Sequence, residues 1–206
     1  RGIELRVEAL ANDTVGTMEA AAYRRPDTAM GVILGTGTNA CYVEKTANVT
    51  KWRGAPSDEV VLNTEGGTLQ MAPFMNGHDR AVDAATTNPG LQTFEKMISG
   101  MYLGEICRTT LLHPSVARGF SSEAAQQLRS AFAQPMAFQS SLMAAIEADT
   151  SPSLAEVERL LKAAGVSACT VRDRVLLREA CVCVSTRAAR LSATAVCALL
   201  EHAGLD

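Results

Sequence analysis

Apolar and polar side chains alternate at the start of the chain, over residues 3–9 (IELRVEA). This period of two predicts a β-strand with one buried face. The strand leads into Asn12 and Asp13, and the small residues at 18–23 predict a helix shortly after them. The pattern therefore places an amide and a carboxylate at the carboxyl end of a strand.

Three more apolar runs predict strands, at residues 30–34, 40–44 and 59–63. Residues 45–58 and 68–90 show no clean period and contain Pro and Gly, so we interpret both as surface connections. The first half of the chain is therefore expected to form a small sheet.

Apolar residues recur at helical spacing through the second half of the chain. The predicted helices cover residues 91–111, 121–132, 138–148, 153–164 and 171–202. Ser153 followed by Glu156 is typical of a capping box, and Gly165 and Gly204 are typical of helix ends. We therefore expect an α/β chain with a helical C-terminal half.

Asp13 is the first candidate for chemistry. A carboxylate at the carboxyl end of a strand lies where open α/β sheets bind ligands, and the start of a helix favours its ionised form. Those are properties of a general base. The alternative is that Asp13 only caps the helix that follows, and caps are more common than bases.

Residues 35–39 (GTGTN) follow the second predicted strand. Two glycines around Thr36 expose backbone N–H groups and a hydroxyl, which suits a phosphate or a sugar oxygen. Tight hairpins also use glycine in such turns. The spacing alone leaves a phosphate-binding loop and a plain hairpin equally open.

Two glutamates complete the set of candidates. Glu65 follows the third of these apolar strands and precedes Gly66 and Gly67, so a carboxylate again stands beside flexible backbone. Glu105 lies on the predicted helix at 91–111, where the ordinary alternative is a solvated surface residue.

Composition narrows the class of protein. The chain has 206 residues, of which 47% are hydrophobic, and this suits one domain or one large lobe. A net charge of -3 gives no electrostatic argument for nucleic acid or an anionic membrane. No apolar run approaches the ~18 residues of a transmembrane span, so we expect none.

The cysteines and histidines have no metal-ligand spacing, and we predict no metal site formed by them. The six cysteines are Cys41, Cys107, Cys169, Cys181, Cys183 and Cys197. Scattered cysteines among apolar residues indicate reduced, buried thiols. We therefore expect a cytoplasmic protein, with a plastid or the mitochondrial surface as alternatives.

Three motifs, taken together, resemble the hexokinase family. Residues 10–17 (LANDTVGT) resemble the stretch that holds the catalytic aspartate, and residues 33–42 (ILGTGTNACY) resemble the second phosphate loop. Residues 94–106 (FEKMISGMYLGEI) are similar to the helix that ends in a sugar-binding glutamate. The order and spacing agree over nearly the whole chain, with details closest to plant and green-algal members.

The resemblance implies an actin-like, ribonuclease-H-like α/β fold of two lobes. Residues 1–206 would form the large, C-terminal domain of a hexokinase, incomplete at both ends. Within it, residues 1–67 would supply the sheet with the active-site loops, and residues 91–206 would be mainly helical.

The resemblance also implies roles for single residues. Asp13 would take the proton from the 6-hydroxyl of glucose, fructose or mannose, and the oxygen would attack the γ-phosphoryl group of ATP with Mg²⁺. Gly35, Thr36 and Gly37 would lie along the ATP phosphates. The other sugar hydroxyls would be held by Asn12, Asn39, Glu65 and Glu105.

The chain departs from the family pattern in two ways. Gly66 stands where the family usually has tryptophan, so we expect Glu65 to be held less firmly. The Asp-x-Gly-Gly-Thr loop for phosphates and Mg²⁺, the small-lobe Thr-Lys loop and the adenosine segments are absent. We expect the 206 residues alone to be inactive. Association with a membrane or an assembly through the absent segments is left as an open alternative. The alternative function is a catalytically silent sugar sensor or structural subunit.

Overall fold

The computed structural model describes residues 2–3, 5–8 and 10–205 of the chain. Three antiparallel strands form its sheet in the order β1–β2–β3: β1 (Met30–Leu34), β2 (Thr38–Lys45) and β3 (Glu59–Asn63). The three strand predictions at 30–34, 40–44 and 59–63 are confirmed. β2 begins two residues earlier than expected because it pairs with β1 up to Leu34 and Thr38.

Helices make up most of the remaining described chain. They are α1 (Asp13–Ala22), α2 (Gly77–Ala84), α3 (Thr93–Ile98), α4 (Gly100–Leu112), α5 (Pro114–Ala117), α6 (Ser122–Ala131), α7 (Ser140–Ala148), α8 (Ala155–Ala163) and α9 (Val171–Ala203). Short 3₁₀ helices lie at Thr46–Asn48, Gly66–Thr68 and Ala72–Phe74. The expected helical C-terminal half is confirmed.

Helix α1 packs on one face of the sheet. The Cys41 thiol lies 3.4 Å from the Thr14 carbonyl oxygen, and a Cβ added to Gly31 would lie 2.8 Å from the same oxygen. Gly31 and Cys41 pair across β1 and β2. The absence of a side chain at Gly31 therefore lets the first turn of α1 approach the strands closely.

Helix α9 reaches the opposite face of the sheet. Side chains alternate along β2, so Tyr42 points away from the face that carries Cys41. The Tyr42 ring meets the His202 ring edge-on, with 6.0 Å between the ring centroids. The sheet is thus placed between the first helix and the end of the last one.

A separate core holds the helical half together. Side chains from α4, α6, α7, α8, α9 and the segment before α7 fill it, and the largest of them that are almost fully buried are Phe138, Leu128, Ile146, Leu161 and Leu177. A buried side chain of this size contributes about 1.5–3 kcal/mol relative to an exposed one. This core fixes α4 and α9 and therefore the scaffold behind the sheet.

The strand predicted at residues 3–9 is not found. Glu4 and Ala9 lie outside the described residues, and the described residues around them pair with no strand. Ile3, Leu5 and Val7 are 83–86% exposed. Alternation predicts which face a strand buries, but a strand forms only where a neighbour accepts its hydrogen bonds.

Three other predictions about the helices differ from the structure. Helix α1 begins at Asp13 rather than at residue 18, and the connection at 68–90 contains α2. The predicted Ser153 cap is wrong, because the residue before α8 is Leu154 in a left-handed conformation with φ 51. Asp149 replaces the cap by accepting the N–H groups of Glu156 at 2.9 Å and Val157 at 3.0 Å.

The six cysteines are free thiols, but the expectation that all are buried is only partly correct. Cys41, Cys107 and Cys181 are buried, whereas Cys183 and Cys197 are exposed on α9. The Sγ atoms of Cys107 and Cys181 lie 3.6 Å apart. This contact and, after it, burial raise the pKa of the Cys107 thiol, so its thiolate is disfavoured.

Helix α9 differs from the expectation that no segment approaches a membrane span. It has 33 residues, and its most apolar window of 18 residues has a mean hydropathy of 1.2. Length and composition alone would allow this helix to cross a membrane. Helices packed inside a folded domain pass the same test, and α9 packs against α3, α4, α7 and β2.

Candidate functional site

Asn12 and Asp13 stand at the start of α1. Asn12 is the N-cap, since its side chain accepts the Thr14 N–H at 2.8 Å. Asp13 Oδ1 accepts the same N–H at 2.9 Å, and the side chain is exposed. Asn12 occupies the N-cap position and shares this N–H with Asp13 Oδ1, while the exposed Asp13 carboxylate stays accessible to a ligand.

Residues 35–37 form the tight turn between β1 and β2. Leu34 pairs with Thr38, and the Gly35 N–H donates to the Gly37 carbonyl at 2.9 Å. Of the two interpretations left open by the sequence, the hairpin is confirmed. The exposed Thr36 at its tip keeps a hydroxyl available, so the phosphate role of the turn stays a prediction.

Asn39, Asn63 and Glu65 form a chain of side-chain hydrogen bonds. Asn39 Nδ2 donates to Asn63 Oδ1 at 2.7 Å, and Asn63 Nδ2 donates to Glu65 Oε1 at 2.6 Å. Asn63 ends β3, and sequence reasoning treated it only as a strand residue. The sequence signal that could have identified Asn63 is an amide two residues before Glu65, at the end of the neighbouring strand.

The loop after Glu65 is fixed by its own hydrogen bonds. Glu65 adopts a left-handed conformation with φ 48 and begins the 3₁₀ turn Gly66–Thr68. The Gly66 N–H donates to Asn39 Oδ1 at 3.3 Å, and the Thr68 hydroxyl donates to the Glu65 carbonyl at 2.7 Å. Leu69 is 51% exposed and does not fill the place of a tryptophan. Hydrogen bonds, not an aromatic ring, hold this loop.

Glu95 on α3 reaches the same place. Its Oε2 accepts the Thr38 N–H at 2.9 Å, directly after the hairpin turn. A Cβ added to Gly37 would lie 2.7 Å from Oε2, and one added to Gly67 would lie 3.3 Å from it. Both glycines therefore make room for this carboxylate. The sequence analysis quoted Glu95 within its third motif but gave the role to Glu105.

Glu105 lies in a different environment and is not brought to this group. Its side chain is 5% exposed, and its two oxygens accept Arg108 at 2.8 Å and 2.7 Å. Oε2 also accepts the Met136 N–H at 2.6 Å. Glu105 raises the pKa of the Arg108 guanidinium through these bonds. The expected solvated alternative is wrong as well, because Glu105 links α4 to the segment before α7.

Asn39 and Asn63 lie on the face of the sheet that α1 covers. Asn63 pairs with Cys41 across β2 and β3, and Asn39 is two residues from Cys41 on β2. Paired residues and alternate residues share a face, so all three project toward α1. The Thr14 carbonyl touches Cys41 on this face. The start of α1, with Asn12 and Asp13, therefore lies on the same side as the two amides.

The arrangement offers hydrogen bonds suited to a polyhydroxylated molecule. Asn39, Glu65 and Glu95 present an amide and two carboxylates around the hairpin, and such groups bind neighbouring hydroxyls in pairs. The exposed turn at residues 35–37 fits a phosphate beside them. Among the described residues, no three His, Cys, Asp or Glu side chains are grouped to bind a metal.

Comparison with known proteins adds independent information. The family model described as hexokinase matches residues 29–206. Hexokinase-1 of Nicotiana tabacum is 41% identical over 211 aligned positions, which cover 100% of this chain and 42% of the relative. Hexokinase-2 of Solanum tuberosum is 39% identical, again over 100% of this chain and 42% of the relative. The chain thus spans less than half the length of these curated relatives.

Solved structures agree with the sequence relatives. The hexokinase from Schistosoma mansoni complexed with glucose superposes with a TM-score of 0.84 at 31% identity, covering 94% of this chain and 44% of that one. A second structure, described as a hexokinase, gives a TM-score of 0.75 at 32% identity. The fold is therefore that of the actin-like ATPases, as the motifs implied, and the chain belongs to the hexokinase family.

Proposed function

We propose that the complete protein transfers the γ-phosphoryl group of ATP to the 6-hydroxyl of a hexose, with glucose as the first candidate. The convergence of Asn39, Glu65 and Glu95 around one hairpin supports this most. These side chains come from β2, from the loop after β3 and from α3. Three separate elements each supply one polar group to the same place, which a local turn motif does not do.

Asp13 is the proposed general base. It is exposed at the start of α1, directly after the Asn12 cap. Asn12 holds the first turn through the Thr14 N–H and so fixes the direction of the adjacent carboxylate. In this role Asp13 removes the proton as the sugar oxygen approaches phosphorus, and the site contributes mainly positioning and charge stabilisation.

Glu95 replaces Glu105 in the proposed sugar site. One of its oxygens is used by the Thr38 N–H, and the carboxylate lies against Gly37 and Gly67. The sugar-binding group would then be Asn12, Asn39, Glu65 and Glu95. Gly35, Thr36 and Gly37 are proposed to contact ATP phosphates through backbone N–H groups and the Thr36 hydroxyl. ATP bound there would supply the phosphoryl group, and Mg²⁺ would be held mostly by the ATP phosphates and by the loops of the family pattern that this chain lacks.

The direct test is a coupled assay for glucose 6-phosphate with the complete natural protein, glucose, ATP and Mg²⁺. Formation of glucose 6-phosphate that depends on all three supports the proposal. Glucose binding without phosphate transfer would support the silent sugar sensor instead. Binding of neither glucose nor ATP would contradict both functions.

A further inference from the structure

Asn63 occupies the centre of the hydrogen-bonded chain between Asn39 and Glu65. Its amide group accepts a bond from Asn39 Nδ2 at 2.7 Å and donates one to Glu65 Oε1 at 2.6 Å. The side chain is exposed, so it contributes little to the apolar core. The amide is therefore placed to orient its two neighbours and not to support the fold.

The hydrogen bonds allow only one orientation of these two amides. Asn39 Oδ1 accepts the Ala40 N–H at 2.8 Å and the Gly66 N–H at 3.3 Å, so the Asn39 NH₂ group must face Asn63. An NH₂ group can only donate, so Asn63 must accept this hydrogen bond with its Oδ1. Its own NH₂ group is then directed to the Glu65 carboxylate.

We propose that Asn63 is a positioning residue that aims Asn39 and Glu65 at the sugar. The inference rests on the proposed function, since it assumes that these two residues bind hexose hydroxyls. Asparagine is required because it accepts at one end and donates at the other. Aspartate has nearly the same shape but cannot donate when ionised, and it would place two negative charges side by side.

This difference gives a sharp test with Asn63→Asp in the complete natural protein. At pH 8 the new carboxylate repels Glu65, and the Kd for glucose should rise roughly 10-fold. As pH falls toward about 4.7, the upper value for a carboxylate dyad, the two carboxylates share a proton, which restores a donor between them. The Kd should then approach the wild-type value. Titration calorimetry with glucose at several pH values measures this directly.

Two comparison variants separate positioning from a merely structural role. Asn63→Ala removes both hydrogen bonds without adding a charge, so its loss of glucose affinity should be independent of pH. Asn48→Asp makes the same chemical change at another amide, whose Nδ2 donates to Glu44 Oε1 at 2.7 Å away from the hairpin. It should leave the pH dependence of glucose binding unchanged. Thermal unfolding of each variant checks that the fold is intact.

The outcomes distinguish this inference from the function on which it rests. A wild-type protein that binds no glucose overturns both. Wild-type binding with an Asn63→Asp variant that matches it at pH 8 overturns only the positioning role, as does a loss that stays constant with pH. For turnover, the KM for glucose should rise with kcat nearly unchanged, because the lost interactions hold the sugar in the ground state and the transition state alike.

Discussion

The Glu95 carboxylate accepts the Thr38 backbone N–H at 2.9 Å, and this bond ties α3 to the residue directly after the hairpin turn. One side chain thereby connects the proposed sugar site with the proposed phosphate turn. A Cβ at position 37 would lie 2.7 Å from the carboxylate, whereas one at position 67 would lie 3.0 Å from the Thr38 carbonyl oxygen and 3.3 Å from the carboxylate. This bond makes the hairpin and α3 one structural unit.

Replacing Gly37 by alanine should disturb this unit through Glu95. The new Cβ would lie 2.7 Å from Glu95 Oε2, closer than real Cβ contacts, so the carboxylate must move. We expect a loss of glucose affinity of about 10-fold, the scale of one displaced hydrogen bond to a charged group. Calorimetric titration with glucose in the absence of ATP gives the value.

A double-mutant cycle provides the control for Gly37→Ala. In a Glu95→Ala background there is no carboxylate to displace, so adding Gly37→Ala should cost little further glucose affinity. Fully additive losses would mean that alanine at position 37 acts on the turn itself and not through Glu95.

Asp13→Ala in the complete protein should lower kcat by roughly 10²- to 10⁴-fold, the usual contribution of a positioned general base. Glucose affinity should change much less, and stability should persist because Asn12 is the helix cap. Glu19→Ala removes an exposed carboxylate from the same helix and should leave kcat unchanged. An Asp13→Ala enzyme with more than half of the wild-type kcat would rule out this role.

Asp149 should contribute stability that depends on pH. Hydrogen bonds from the Ser151 hydroxyl and from the backbone N–H groups of residues 151, 157 and 156 lower its pKa from 3.8 to about 2. A carboxyl group whose pKa is lower in the folded protein stabilises the fold at pH values above its pKa in the unfolded chain. This contribution is lost as pH falls toward about 2.

The measurement for Asp149 is thermal unfolding of wild type and Asp149→Asn between pH 6 and pH 2. The wild type should have the higher Tm at pH 6, and the difference should shrink below about pH 4. Asp58→Asn, in the exposed loop before β3, serves as the control and should show no such trend. A constant difference from pH 6 to pH 2 would contradict the role of the ionised Asp149.

The hydrophobic pattern predicted the strands and most helices because β1–β3 and α6–α9 bury regular faces. It failed at residues 3–9, where a clear alternation has no neighbouring strand among the described residues. Single-residue choices failed where the backbone turns: Leu154 at φ 51 breaks the expected cap, and Asp149 takes over from earlier in the chain. Which residue satisfies the N–H groups at a helix start depends on the tertiary structure, which a local sequence pattern does not contain.

The exchange of Glu105 for Glu95 has a similar cause. Both residues fall on what the sequence presents as one helix at 91–111. Ser99 is extended, with φ -79 and ψ 151, and divides this helix into α3 and α4. The two parts then point their glutamates into different places, one to the hairpin and one to Arg108. The motif contains both glutamates, and the break at Ser99 sets the different directions of their side chains.

Glu95→Gln and Glu105→Gln should have opposite effects on stability and on glucose affinity, because the two glutamates lie in different places. Glu105→Gln breaks a buried ion pair and should cost about 3 kcal/mol of stability, with the glucose affinity of the folded protein retained. Glu95 is only half-buried and makes no ion pair with the described residues, so Glu95→Gln should leave Tm nearly unchanged. Thermal unfolding of the two variants compares these costs.

The most direct test of the account is a calorimetric titration of glucose into the complete protein carrying Glu95→Gln, beside wild type and Glu105→Gln. A sugar site at the hairpin predicts a Kd at least about 10-fold higher for Glu95→Gln, as expected for a lost hydrogen bond to a charged group, and an unchanged Kd for folded Glu105→Gln. Wild-type affinity in Glu95→Gln, together with lost affinity in folded Glu105→Gln, would contradict the site described here.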